Sequence, residues 1–151
     1  MFRATPERPP RFSPKAVRGD SPTRVLIADD QAHFRRGLRA AIDTAGGGVT
    51  VVGEATGGDE AITLARSLQP DVVLLDVRMP GTSGIRAAQA IRVFCPGTRI
   101  LMLTISDDPD DIAFALRAGA DGYMLKERTL HDVVEAIRSL TRGGAWPVAA
   151  G

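Results

Sequence analysis

Residues 71–81 read Asp71-Val72-Val73-Leu74-Leu75-Asp76-Val77-Arg78-Met79-Pro80-Gly81. Four consecutive apolar residues that run straight into Asp76 make a strand with no polar face. Such a strand is covered on both sides, which means parallel pairing between two layers of helix. The run ends in a carboxylate, Asp76, at the carboxyl end of the strand. In open parallel α/β sheets that edge is where ligands and chemistry collect. A second strand repeats the geometry, because Val25-Leu26-Ile27-Ala28 runs into Asp29-Asp30. Two more strand ends carry Thr104, after Ile100-Leu101-Met102-Leu103, and Lys126, after Tyr123-Met124-Leu125.

Working outward from this strand, strand and helix patterns alternate five times from Arg24 onward. Strands are predicted over 24–28, 49–54, 72–76, 99–104 and 122–126. Between them, Phe34, Leu38, Ala41 and Ile42 follow helical spacing, as do Ala61, Leu64, Ala65 and Leu68, and then Leu130, Val133, Val134 and Ile137. Pro109, preceded by Asp108 and followed by Asp110 and Asp111, opens the fourth helix, where a missing N–H is harmless and negative charge suits the helix dipole. Thr129 with Asp132 has the spacing of a capping box at the start of the last helix, and Gly46-Gly47-Gly48 and Gly119 fit helix exits. Five right-handed βα units predict an α/β fold, a (βα)5 doubly wound parallel sheet of flavodoxin-like type with strand order 2-1-3-4-5. In that order the first and third strands flank the switch point, so Asp29, Asp30 and Asp76 face one crevice.

The 151 residues suffice for one domain with its own core, expected over 23–142. Residues 1–22 hold five of the ten prolines and several arginines with few large apolar groups, so a disordered basic tail is expected there, and a second tail at 143–151. A formal net charge of +1 gives no global field toward nucleic acid or membrane. The single cysteine, Cys95, cannot form an internal disulfide, and neither a membrane span nor a secretory signal is legible, so a cytoplasmic protein is expected. Of the 19 basic residues only Lys15 and Lys126 are lysine. A chain that fills its basic positions with arginine places a lysine at a strand end where a compact ammonium serves better than a planar fork.

Three carboxylates about 5 Å apart repel by roughly 3 kcal/mol per pair at an effective dielectric near 20. Lys126 offsets one charge, and a divalent cation is the natural remainder. Few ligands, all oxygen, point to Mg²⁺, and the lack of His or Cys in these motifs argues against zinc. A carboxylate beside Mg²⁺ and a lysine suits phosphoryl transfer, with the carboxylate as nucleophile. Asp76 is the candidate nucleophile because its strand is central, Asp29 and Asp30 are candidate metal ligands, and the Thr104 hydroxyl could reach a phosphoryl oxygen. Each residue alone has an ordinary reading as a cap or a strand end; it is the set, on five units in this order, that points to chemistry.

Residues 24–142 resemble the receiver domain of bacterial response regulators. The motifs that carry the resemblance are Val25 through Asp30, Asp71 through Gly81, Leu103-Thr104, and Ala118-Gly119-Ala120-Asp121-Gly122-Tyr123-Met124-Leu125-Lys126. The segment Asp29-Asp30-Gln31-Ala32-His33-Phe34-Arg35-Arg36-Gly37-Leu38 is most similar to the NarL/FixJ subfamily, whose members carry LuxR-type DNA-binding domains. The resemblance implies that Asp76 receives phosphate from a sensor histidine kinase. It implies that Asp30, Asp76 and the backbone carbonyl of Arg78 ligate Mg²⁺, with a more indirect role for Asp29. Lys126 would pair with the phosphoryl group, Thr104 and Tyr123 would form a switch pair, and phosphorylation could bring about a homodimer.

The relatives so resembled continue into a helix-turn-helix domain, whereas only nine residues follow Arg142 here. No recognition helix fits in them, so nucleic-acid binding is not assigned to these residues, and a stand-alone receiver, a truncated chain and a degraded gene stay open. Two other readings share the ingredients. A Mg²⁺-dependent aspartyl-phosphate phosphatase would need a second Asp two residues after its nucleophile, where Asp76 is followed by Val77-Arg78. A phosphorylation-independent interaction module would not need the full set of site residues. His33 and His131 are expected at the surface, Cys95 in a structural position, and Trp146 either on the last helix or against another domain.

Overall fold

The computed structural model describes residues 21–105, 108–128 and 130–143. Its elements run β1 (Thr23–Ala28), α1 (Ala32–Ala45), β2 (Val49–Ala55), α2 (Gly58–Leu68), β3 (Val72–Asp76), α3 (Gly84–Phe94), β4 (Arg99–Thr104), α4 (Pro109–Arg117), β5 (Gly122–Leu125) and α5 (Leu130–Thr141). The strands form one sheet in the order β2-β1-β3-β4-β5, with every neighbouring pair parallel. This is the predicted doubly wound order. β3 is central and buried at every position, as its unbroken apolar run requires.

Alternation along each strand sorts the core into two layers. Leu26, Val73, Leu75, Ile100 and Met102 face α2, α3 and α4, which meet them with small residues: Ala61, Ala65, Ala87, Ala88, Ala115 and Ala118. Val25, Ile27, Leu74, Leu101 and Leu103 face α1 and α5, which bring Leu38, Ile42, Val133, Ile137 and Leu140. One layer therefore meets the sheet largely with alanine, and the other largely with branched side chains.

Element ends follow local chemistry. Gly46 at φ 62° and Gly119 at φ 110° take the left-handed turns that release α1 and α4. Asp108 caps α4, accepting from the Asp110 N–H at 2.9 Å, with Pro109 in the first turn. The cap expected at Thr129, the tail residues 1–20 and 144–151, and Trp146 lie outside the described residues. β5 stops one residue short of its predicted end, so Lys126 lies in the turn beyond it, tied by its own N–H to the Thr104 carbonyl at 2.7 Å. β2 runs one residue longer than predicted, to Ala55, and its register against β1 shifts between Val25 and Leu26. Near that shift Gly53 lets Leu68 and Leu26 approach, since a Cβ there would stand 2.9 Å and 3.3 Å from their Cδ1 atoms.

The opposite, amino-terminal edge of the sheet is sewn by carboxylates. Asp71 accepts from the Arg24 N–H at 2.8 Å, and Asp121 accepts from the Ile100 N–H at 2.8 Å while pairing with Arg92 and Arg99. The Arg24 guanidinium in turn donates to the Leu68 and Gln69 carbonyls, closing the C-terminus of α2.

The loops at the carboxyl edge are held by close backbone approach. A Cβ on Gly84 would stand 1.9 Å from the Asp76 carbonyl oxygen, and one on Gly58 would stand 2.1 Å from that of Thr82. Gly84 also donates its N–H to Val77 O at 2.8 Å, so α3 starts directly against the end of β3. We expect Gly84→Ala to destabilise the fold by about 1–3 kcal/mol through overpacking against backbone that cannot yield. Gly37, mid-helix in α1, would meet only Leu130 Cδ1 at 3.9 Å, so Gly37→Ala should stabilise by about 0.5–1 kcal/mol. Urea unfolding of the two variants checks both signs.

Candidate functional site

Parallel strands all end on the same side, so the last residues of β1, β3, β4 and β5 share one rim. Asp29 and Asp30 follow β1, Asp76 ends β3, Thr104 ends β4 and Lys126 follows β5. Asp29, Asp30 and Asp76 each offer a carboxylate oxygen, and these atoms lie within 4.8 Å of one another. Asp29 and Asp76 are buried and Asp30 is exposed, so the cluster has a closed floor and an open lip.

Asp29 is fixed from several directions. Its N–H donates to Ala55 O at 3.0 Å, its Oδ1 accepts from the Gln31 N–H at 2.8 Å, and its carbonyl accepts from Arg35 Nη1 at 2.6 Å. Arg35 is itself braced by Glu54 on β2 at 3.2 Å. Asp76 Oδ1 accepts from the Arg78 N–H at 3.3 Å, which turns the chain as β3 ends.

Lys126 supplies the counter-charge. Its Nζ lies 2.7 Å from Asp29 Oδ2 and 3.3 Å from Asp76 Oδ2, donates to Gln31 Oε1 at 3.2 Å, and sits 4.5 Å from the centre of the Phe34 ring. One ammonium between two buried carboxylates leaves the cluster net negative. Burial and the Asp29 charge push the Asp76 carboxyl up from its ordinary range, against the opposing pull of Lys126 and of the Arg78 N–H.

A divalent cation fits these donors. Asp29 Oδ2 is buried and, despite its short distance to Nζ, receives no directed hydrogen bond. A buried carboxylate oxygen in that condition has lone pairs to spare, the donors are all oxygen, and one of the three carboxylates stays open to solvent.

The other residues singled out in the sequence lie at different places in the fold. Thr104 is buried and, two residues beyond Met102, belongs to the sheet face that packs on α2, α3 and α4. Tyr123 is buried in that same layer, one strand over. Arg78 is exposed, with Nη2 3.9 Å from Asp111 Oδ2 on α4. His33 and His131 are exposed, and Cys95 is buried with its Sγ 3.4 Å from the Ala65 carbonyl, away from the acidic rim. Gln31, Phe34 and Arg35 belong to the site as well. Sequence reading named them only as part of the Asp29–Leu38 segment, because their side chains are assigned to the cluster only by contacts across the rim.

Comparison with known proteins agrees with this geometry. Residues 25–138 match the model of the response regulator receiver domain. The chain is 44% identical over 122 residues to the uncharacterized transcriptional regulatory protein YxjL of Bacillus subtilis, covering 81% of this chain and 56% of that one. It is 38% identical over 122 residues to the nitrate/nitrite response regulator protein NarL of Escherichia coli K12, with the same 81% and 56% coverage. The chain thus spans little more than half the length of these relatives. Among solved structures, the signal receiver domain of NarL from Mycobacterium tuberculosis superposes with a TM-score of 0.77 at 39% identity, over 82% of this chain and 98% of that one. A LuxR-family two-component response regulator from Aurantimonas sp. SI85-9A1 gives 0.78 at 34%, over 83% and 89%. The chain belongs to the response regulator receiver domain family, among relatives of the NarL and LuxR type.

Proposed function

We propose that residues 23–142 act as the phosphoacceptor of a two-component system, with Asp76 taking a phosphoryl group from a sensor histidine kinase in the cytoplasm. The observation that carries this reading is the clustering of the Asp29, Asp30 and Asp76 oxygens at the sheet's carboxyl edge, with the half-buried Lys126 ammonium against two of the three carboxylates. An Asp76 carboxylate oxygen attacks the phosphorus of a phosphohistidine. The P–O bond forms as the P–N bond breaks, and the imidazole leaves with its electron pair. Asp30 and Asp76, with the Arg78 carbonyl, would hold Mg²⁺, and Asp29 would support it less directly. When bound, the ion neutralises phosphoryl charge. Lys126 supplies the second positive charge and pairs with a phosphoryl oxygen. Water hydrolyses the acyl phosphate later, so the domain turns over only its own phosphate and is a switch rather than an enzyme on external substrates.

Thr104 and Tyr123 are the proposed output of that switch. Their shared sheet face supports a coupling in which the Thr104 hydroxyl moves to the phosphoryl group and the Tyr123 ring occupies the space behind it. Phosphorylation would then favour one of two packings near α4, a population shift whose partner is a second phosphorylated copy or an output domain.

Mg²⁺ with a small acyl phosphate should add one base-labile phosphoryl group, and Asp76→Asn should abolish it. Mass spectrometry showing full labelling of that variant would overturn the assignment. Asp76→Asn also tests the electrostatics. Because the folded carboxyl is raised, the folded state holds its proton more tightly, so wild-type stability falls as pH rises through the window from the unfolded to the folded value. Above that window the penalty is complete. Without divalent cations, Asp76→Asn should therefore be more stable than wild type at neutral pH, with the difference vanishing on acidification below the unfolded value. Thermal melts across pH read it. Lys126→Arg should still accept phosphate but fail to switch, since a guanidinium is wider and prefers bidentate partners. Hydrogen exchange of described residues in 104–125 should change on phosphorylation in wild type and not in the variant.

A further inference from the structure

In the register of the β1–β2 ladder Ala28 pairs with Ala55, and the Asp29 N–H still donates to the Ala55 carbonyl at 3.0 Å. The next rung of a parallel ladder would bring the Gly57 N–H to the Asp29 carbonyl. β2 ends at Ala55, however, and Gly57 has become the N-cap of α2. Arg35 takes the place of that rung. Its Nη1 donates to the Asp29 carbonyl at 2.6 Å, and its Nε pairs with Glu54 Oε1 on β2 at 3.2 Å. Arg39, one turn on in α1, pairs with the other oxygen of Glu54. A strand-end carbonyl is thus held by a charge-assisted bond whose donor is itself clamped.

The Asp29 carbonyl belongs to the peptide that leads into Asp30. The peptide that leads out of Asp30 is held as well, since the Gln31 N–H donates to Asp29 Oδ1 at 2.8 Å. Asp30 is exposed, and its side chain has no hydrogen bond or ion pair among the described residues. Its carboxylate is therefore placed beside Asp29 and Asp76 by the two anchored peptides that flank it.

We propose that Arg35, braced by Glu54, is a positioning residue that fixes the peptide entering Asp30 and so holds the Asp30 carboxylate where a divalent cation can share it with Asp76. This rests on the phosphoacceptor reading given above and adds to it a residue that touches no ion and acts through the backbone. Charge alone would do the reverse. A guanidinium near an acidic cluster repels a cation, so removing its charge would by itself tighten Mg²⁺ binding. Position and charge predict opposite signs.

The experiment is a Mg²⁺ titration by calorimetry on the full chain, in wild type, Arg35→Met, Arg35→Lys and Arg36→Met. Arg35→Met removes the donor and should weaken Mg²⁺ about three- to tenfold, the range of one net hydrogen bond. Arg35→Lys keeps most of the reach and one donor, and should recover most of that loss. Arg36 is the exposed neighbour in α1, so Arg36→Met removes the same charge and should not weaken Mg²⁺. In metal-free protein the Asp30 amide, part of the same peptide as the Asp29 carbonyl, reports directly. Its ¹⁵N resonance should shift and its proton exchange faster in Arg35→Met, and both should return toward wild type in Arg35→Lys. Glu54→Gln leaves Arg35 in place and loosens its brace, so it should move the same amide by less, a reading that holds even if Arg35→Met does not fold. Unchanged or tighter Mg²⁺ binding in Arg35→Met, an equal loss in Arg36→Met, no recovery in Arg35→Lys, or an unmoved Asp30 amide would each overturn the inference alone. Wild type that binds no Mg²⁺ at millimolar concentration would overturn the phosphoacceptor reading and this inference with it.

Discussion

Two carboxylates, Asp29 and Asp76, are buried side by side with one ammonium between them, and the carboxyl edge of the molecule is organised around that imbalance. Removing one partner from a buried pair typically costs about 3–5 kcal/mol, because a charge is left with nothing to answer it. Here the answer is incomplete by construction: the cluster keeps net negative charge, a raised Asp76 carboxyl and an oxygen of Asp29 without a directed hydrogen bond. A fold optimised only for stability would replace such a group with apolar residues. Retaining it makes the folded state respond to pH and to whatever brings positive charge to the cluster.

That tension is tolerated because the rest of the sheet is firmly held. At the opposite edge, Asp71 and Asp121 also sit at strand ends, but each satisfies a strand N–H, and Asp121 has two arginines besides. The same residue type therefore plays opposite parts at the two edges. At the amino-terminal edge carboxylates meet unpaired N–H groups and are structural. At the carboxyl edge they meet one another.

The two core layers divide labour in a similar way. The α1 and α5 layer uses large branched residues, and α1, with Gln31 just before it, brings Phe34 to the lysine from that side. The α2, α3 and α4 layer is alanine-rich, and Gly84 at the start of α3 stands against the Asp76 carbonyl. Tyr123 is the largest fully buried side chain, and it lies among these small residues. A bulky ring packed among small residues has few alternative packings.

Much of this is legible in the sequence. The unbroken run Val72–Leu75 required a doubly covered parallel strand, the alternation of periods required βα units, and carboxylates at two strand ends required a shared rim once the order 2-1-3-4-5 was adopted. Gly46, Gly119 and Pro109 marked helix ends because their φ preferences act locally. The contacts that tune the cluster were not legible. Gln31 and Lys126 are far apart in sequence and on different elements, and whether an amide, a ring or a carboxylate takes the ammonium depends on ångström-scale placement that no periodicity encodes. The exposure of Asp30 against the burial of Asp29, adjacent residues of identical chemistry, was likewise decided by tertiary contacts, since Ala55, Arg35 and Lys126 all reach Asp29 from other parts of the chain. Local propensity and period determine which elements form and which edge they share; tertiary packing alone decides which charges on that edge meet, because Coulomb and hydrogen-bond energies turn on distances and angles set between elements.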